Sequence, residues 1–267
     1  MVNDSPALKK ADVGFAMGSG TEVAKEAGDI TIMDDNFLSI EKAILYGRTI
    51  FKNIRKFLIF QLTVNVTTVA LCFLAPLLGI SQPLSIISIL YINLVMDTLA
   101  ALAFGNEPAL EKYMAEKPIK RDESIINKQM ASQILVTGCY IVVVSLCILL
   151  VPALIGVYAP QFTMETISVE FKESAMLAFL MLTVVLNGFY ARSEGLNCFE
   201  HIGDNKAFSI VMGAVVVLLV LLIHVISAVA SLTPITMLTW GVMVVLALGS
   251  IPLDILRKAI LRGSQKK

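Results

Sequence analysis

Six apolar stretches, at about residues 57–79, 86–104, 132–157, 174–191, 207–231 and 238–257, are each long enough to cross a bilayer, which takes roughly 17 to 25 residues. These stretches are expected to be six transmembrane helices, and an even number of crossings puts both chain ends on one side. The basic residues say which side. Eight precede residue 57, five lie in 105–131, two in 192–206 and five from Arg257 onward, so that of 21 only Lys172 falls in an opposite-side loop. Loops rich in Lys and Arg stay in the cytoplasm, and both termini are expected there.

With 57% hydrophobic and 16% charged residues, the chain carries more apolar surface than a water-soluble globular domain can bury. Its 21 basic and 21 acidic residues cancel, which gives no field to attract a nucleic acid. Cys72, Cys139 and Cys147 lie in apolar runs and Cys198 stands alone, without C-x-x-C spacing, so small buried apolar residues are expected rather than disulfides or a zinc site. The polar stretch Met1 to Ala11 has no apolar core and does not fit a secretory signal.

Residues 1–56 alternate short β and α signals. Val13 to Met17 reads as a buried strand, Gly18-Ser-Gly20 as a turn, Glu22 to Ala27 as a short helix and Asp29 to Met33 as a second strand. Asp34-Asp-Asn-Phe37 offers N-caps for a helix running into the first span. Gly18-x-Gly20 has Val23 at the third glycine position of a dinucleotide fingerprint, and turn glycines explain it better. About 50 residues bury too little surface to stand alone, which implies further chain upstream.

The second span contains Asn93 and Asp97, four residues apart and so on one helical face, with Asp97 near mid-membrane. An aspartate there costs about 2.5 to 3.5 kcal/mol on insertion scales, so an intramembrane acid marks an ion or proton pathway before it marks a structural pair. Amide and carboxylate oxygens are hard donors that suit calcium. Asn65, Thr67 and Thr68 lie at similar depth on the first span, and a short connection through Gln82 and Pro83 makes the two spans neighbours. Asn65 is a third candidate oxygen donor, with a helix–helix hydrogen bond as its alternative. Asn187, His224 and Asp254 are isolated along their helices, and His224 reads as a structural hydrogen-bonder. Asn3 and Asp4, on a loop at the start, could orient phosphate or magnesium.

The run from Val2 to Gly18, followed by Gly20 to Ala27, resembles the end of the phosphorylation domain of P-type ATPases. The resemblance continues through Asp34 to Phe37, Gly47-Arg48, Asn53 to Phe57 and Asn93 to Asp97. Leu99 to Gly105, Glu107-Pro108 and Asn187 to Arg192 are similar to the plasma-membrane branch of calcium pumps. The fold implied is a mainly α membrane protein: a truncated α/β, haloacid-dehalogenase-like remnant at 1–36, a stalk helix at 37–56, six spans over 57–257 and a short cytoplasmic tail at 258–267. That tail is too short for the calmodulin-binding extension of animal pumps, which implies a simpler, bacterial-like member.

The resemblance also implies a function: the carboxyl-terminal transport part of a P-type calcium-transporting ATPase in the plasma membrane. ATP and Mg2+ would serve the intact pump, and Ca2+ would be the transported ion. Asn93 and Asp97 match ion ligands of a single calcium site, Asn65 a polar residue beside it, and Asn3 and Asp4 residues that support phosphate and magnesium. Two-site calcium pumps carry acids where this chain has Thr68 and Val184, so one ion per cycle is implied. The phosphorylated aspartate, the nucleotide site and the first four spans belong upstream, so the chain by itself is expected to be catalytically incompetent. Its expected partners are the bilayer and the amino-terminal part of the pump. The alternatives are another cation on the same architecture, or a non-enzymatic membrane fragment that associates with a pump.

Overall fold

The computed structural model describes residues 4–80, 82–120, 123–193, 195, 203 and 205–265. Asn3 and Cys198 lie outside these residues. The chain divides into two units, residues 1–52 with 108–125 and residues 53–107 with 126–267.

In the first unit, helix α1 (Ser5–Lys10) precedes strand β1 (Phe15–Met17), helix α2 (Glu22–Ala27) and strand β2 (Ile30–Ile32). β1 and β2 are parallel, with Phe15 opposite Ile30, Ala16 opposite Thr31 and Met17 opposite Ile32. Parallel neighbours need a crossover, and α2 supplies it, its first turn capped by the Thr21 hydroxyl. Gly18 sits where a side chain could not: a Cβ there would lie 2.9 Å from the Met33 carbonyl oxygen. Asp35 takes a left-handed backbone (φ 50°) and accepts a hydrogen bond from the Ser19 N–H at 2.9 Å. That bond, with further help from the Ser19 side chain, holds its carboxyl below the usual range. Asn36 caps the next helix, accepting from the Leu38 N–H at 3.0 Å.

Helix α3 runs from Phe37 to Leu77, with no helix end between the stalk expected at 37–56 and the first span. It stops in a Schellman turn: Gly79 (φ +87°) donates to the Pro76 carbonyl, and Ile80 to that of Ala75. In the first unit, Arg48 of α3 donates to the carbonyls of Tyr113 and Glu116 at 2.6 and 2.7 Å, which anchors the 3₁₀ turn Glu111–Ala115.

Six helices among the described residues are long and apolar enough to span a membrane: Phe37–Leu77, Ile86–Gly105, Lys128–Leu150, Val169–Arg192, Lys206–His224 and Met237–Gly263. The protein is a multi-pass, mainly α membrane protein. Three expected stretches are not single helices. Pro152 lacks an N–H and ends the third span (α6, Lys128–Leu150), starting a separate helix α7 (Pro152–Tyr158). The fifth span (α9, Lys206–His224) stops short of residue 231, with α10 (Ser227–Ala230) following. The sixth breaks between α11 (Met237–Leu248) and α12 (Ser250–Gln265), two residues before Pro252. At that break the Tyr140 hydroxyl donates to the Leu246 carbonyl, and the hydroxyls of Tyr190 and Ser250 pair at 2.7 Å. A Cβ on Gly249 would lie 2.6 Å from the Tyr140 oxygen.

The fourth span, α8 (Val169–Arg192), is the centre of the second unit. Its apolar window is 83% buried, against 28–44% for the other five. Lys172, expected in a loop, lies in its first turn. Cys72 and Cys139, expected to be buried, are exposed. A helix bundle in lipid turns apolar side chains outward as readily as inward, so an apolar run does not report burial there.

Candidate ion site on the second span

The second span changes its winding where its polar residues lie. It begins as α4 (Ile86–Leu90), widens to a π-helix over Tyr91–Met96 and resumes as α5 (Asp97–Gly105). A π-helical turn bonds i to i+5, is rare, and is found frequently at functional sites. Asn93 is inside this stretch and Asp97 is the first residue beyond it. The buried side of the turn is fixed by Tyr91, whose hydroxyl donates to the Val215 carbonyl of α9 at 2.6 Å.

Asn93 is exposed, and its amide donates to the Ile89 carbonyl one turn back at 3.0 Å, while its side-chain oxygen accepts no hydrogen bond from the described residues. Asp97 is half-buried. Its Oδ2 accepts a long hydrogen bond from the Gln61 amide at 3.4 Å, while its Oδ1 is buried and meets no hydrogen-bond donor among the described residues. A buried carboxylate oxygen without a donor is expensive at membrane depth, and a cation or a proton would relieve the cost.

Gln61 is the residue sequence reasoning overlooked. It lies one turn before Asn65 on α3, a spacing that could have flagged it. Lys56 meets Glu107 and Gln61 meets Asp97, so the first two spans run antiparallel. Continuing that register one turn outward puts Asn65 level with Asn93. Asn65 is half-buried and forms no hydrogen bond with the described residues. Its neighbours turn elsewhere: Thr67 Oγ1 bonds the Thr63 carbonyl at 2.6 Å and lies 3.5 Å from where a Cβ on Gly138 would sit. Thr68 Oγ1 is buried without a partner, and Val184 is fully buried among apolar side chains.

Among the described residues no group of three or more His, Cys, Asp or Glu converges. The arrangement on this helix pair is one carboxylate with neutral amide oxygens, a hard-oxygen set rather than a soft-metal one. Asp4 is apart from it, exposed at the start of α1 and making no cap hydrogen bond with its side chain.

His224, Asn187 and Asp254 each have a partner, though the Asn187 Nδ2 is buried without one among the described residues. His224 Nε2 accepts from the Trp240 indole at 3.0 Å. Asn187 Oδ1 accepts from the Gln133 amide at 3.3 Å. Asp254 is not isolated: it pairs with Arg257 at 2.6 Å and Lys258 at 2.9 Å, three and four residues on along its own helix.

At the carboxyl-terminal end of the second span, the inner end in the orientation that the basic residues lead one to expect, lies Glu107, which the sequence offered only as part of the family resemblance. It is buried, with a side chain only 5% exposed. Its Oε2 meets Lys56 Nζ at 2.9 Å, and its Oε1 meets Arg192 Nε at 2.6 Å and Asn205 Nδ2 at 2.7 Å. Burial pushes this carboxyl up, but the Lys56 ammonium, the Asn205 amide and the Arg192 guanidinium outweigh it and hold the group below its usual range.

Residues 81–260 match the model of the family described as "Cation transporting ATPase, C-terminus". The chain is 38% identical over 257 residues to the plasma membrane calcium-transporting ATPase mca-1 of Caenorhabditis elegans, covering 93% of this chain and 20% of that protein. It is 35% identical over 260 residues to calcium-transporting ATPase 12, plasma membrane-type, of Arabidopsis thaliana, covering 97% and 24%. With plasma membrane calcium-transporting ATPase 1 of Gallus gallus it shares 42% identity over 224 residues, covering 80% and 18%. The chain thus spans about a fifth to a quarter of the curated relatives it matches. By the extent of the family match, which takes in five of the six spans, this chain belongs to the carboxyl-terminal region family of the cation-transporting ATPases.

Proposed function

We propose that this chain is the transport portion of an ATP-driven calcium pump of the plasma-membrane kind, in which Asp97, Asn93 and Asn65 contribute oxygens to one calcium ion. The observation that carries this reading is Asp97 itself, a membrane-depth carboxylate with one oxygen lacking a donor, beside a π-helical turn that presents Asn93. The names of the relatives supply the ion.

Asn93 is exposed and Asp97 half-exposed on a face that lipid cannot cover without stranding them. Further protein covers that face in the assembled pump and completes the ligand set. Both termini lie in the cytoplasm, and Asp4 together with Asn3 supports phosphate and magnesium in the catalytic part. Helix α3 carries movement of that part into the first span, which couples phosphorylation to ion affinity. Magnesium and ATP act there, at groups other than those of the six spans.

The test is Asp97→Asn in the full-length pump, assayed for calcium-dependent phosphorylation from ATP. The expected outcome is abolition, since the amide removes the single carboxylate of the pair. Unchanged calcium dependence would remove Asp97 from the site, and dependence on another cation in the parent protein would replace calcium as cargo. A transport ratio of two calcium ions per ATP would refute the single site.

A further inference from the structure

Glu107 joins four chain segments at one carboxylate. Lys56 belongs to α3, Glu107 follows the second span by two residues, Arg192 is the last residue of α8, and Asn205 caps α9 through the Phe208 N–H at 2.9 Å. Asn205 also donates to the Ala103 carbonyl at 3.2 Å, and Asn53 to the Glu107 carbonyl at 3.4 Å. The Arg192 guanidinium lies 4.4 Å from the centre of the Phe208 ring. Both charged partners are nearly as buried as the acid, so water cannot substitute for either.

The two bonds to α3 differ in kind from the other two. Lys56 and Asn53 sit on the helix that also carries Gln61 and Asn65, whereas Arg192 and Asn205 sit on spans that carry no candidate ligand. Asp97 opens the helix α5, and Glu107 follows the end of that helix by two residues, so a link at Glu107 limits how far the Asp97 turn can slide along α3. At the site itself, the hydrogen bond that ties the two helices among the described residues is the 3.4 Å contact from Gln61.

We infer that Glu107 is a positioning residue for ion binding, and that its pair with Lys56 holds the second span in register with the first-span helix so that Asp97 and Asn65 present their oxygens together. This rests on the ion-site reading above. It differs from a purely structural role because Lys56 and Arg192 then have separable effects: the first sets the site, the second anchors the bundle.

The experiment uses the full-length pump in native membranes, phosphorylated from inorganic phosphate without calcium and then titrated with calcium to suppress that phosphorylation. Phosphorylation without calcium reports a folded catalytic part, and the half-suppressing calcium concentration reports the site. Glu107→Gln and Lys56→Met are each expected to keep the phosphorylation and to raise the half-suppressing concentration at least tenfold. The double variant should shift it no further than the larger single change, because both remove one link. Arg192→Lys should lower the yield of folded pump without moving that concentration.

If Glu107→Gln does not fold, Lys56→Met carries the test, since Glu107 then keeps Arg192 and Asn205. An unchanged concentration in Lys56→Met, or an equal shift in Arg192→Lys, overturns the positioning role. Asp97→Asn runs in parallel. If it leaves suppression intact, the ion-site reading falls and the positioning role with it. If it abolishes suppression while Lys56→Met does nothing, Glu107 alone is refuted.

Discussion

The two ends of the second span each meet a buried glutamate, and the two are satisfied by opposite means. At the inner end, Glu107 pairs with two cations and an amide. At the outer end, Glu173 of α8 is 6% exposed and forms no ion pair among the described residues. It accepts instead from the Ser85 N–H and from the Ser88 hydroxyl at 3.3 Å, groups at the amino terminus of the span that Ser85 itself caps. The inner end is held by charge, the outer end by the unpaired donors and dipole that any helix start offers. Between them Asp97 has neither, with a single long contact to a neutral amide. Three acids therefore serve one helix, and Asp97 stands out as the one whose surroundings leave it unfinished.

That contrast predicts an order of stability. Glu107→Leu takes from Lys56 and Arg192 the buried carboxylate they share and is expected to cost about 3–5 kcal/mol. Glu173→Leu leaves one N–H and one hydroxyl unsatisfied and is expected to cost about 1–3 kcal/mol. Thermal unfolding of the detergent-solubilised full-length pump would rank them. A larger loss at Glu173 would mean that the outer end is the stronger clamp and would break the comparison.

Acid sharpens it further. The Glu107 carboxyl is held low in the folded protein, so its stabilising contribution is fully present above the unfolded-state value of about 4.3 and is lost as pH falls through the depressed native value. The stability gap between the parent and Glu107→Gln should therefore be flat from about pH 8 to about pH 5 and close only below that. A gap that shrinks between about pH 7 and pH 5 would show that the cations do not win over burial.

The six crossings were legible because the length of an apolar run is a local property, and Asp97 was legible because an acid in such a run has no cheap structural excuse. What escaped was whatever depends on which helices touch. Gln61 looked unremarkable until the antiparallel register of the first two spans put it against Asp97. Glu107 sat in a polar loop where an acid needs no explanation, and its partners lie 51, 85 and 98 residues away. The π-helical turn carries no motif. Asp254 is the reverse case: its partners stand three and four residues on along one helix, a charge spacing that the sequence displays and that apolar length does not register. The Pro152 break and the exposed Cys72 and Cys139 belong here too, since hydropathy registers neither a missing N–H nor which side of a helix faces the bundle.

The smallest effect tests whether burial, rather than ion pairing as such, gives the inner end its strength. In the first unit Lys52 and Glu116 form a pair at 2.8 Å, the same separation within a tenth of an ångström as Lys56 with Glu107, but with the Glu116 side chain 43% exposed. Solvent screens such a pair and hydrates whichever partner is left, so Glu116→Gln is expected to cost about 0.2–1 kcal/mol and to lose most of that in molar salt. Lys56→Met should keep its cost in the same salt, because counter-ions do not reach a buried carboxylate. If both costs vanish together in salt, the inner clamp behaves as a surface pair, and the distinction between the two ends of the second span rests on geometry alone.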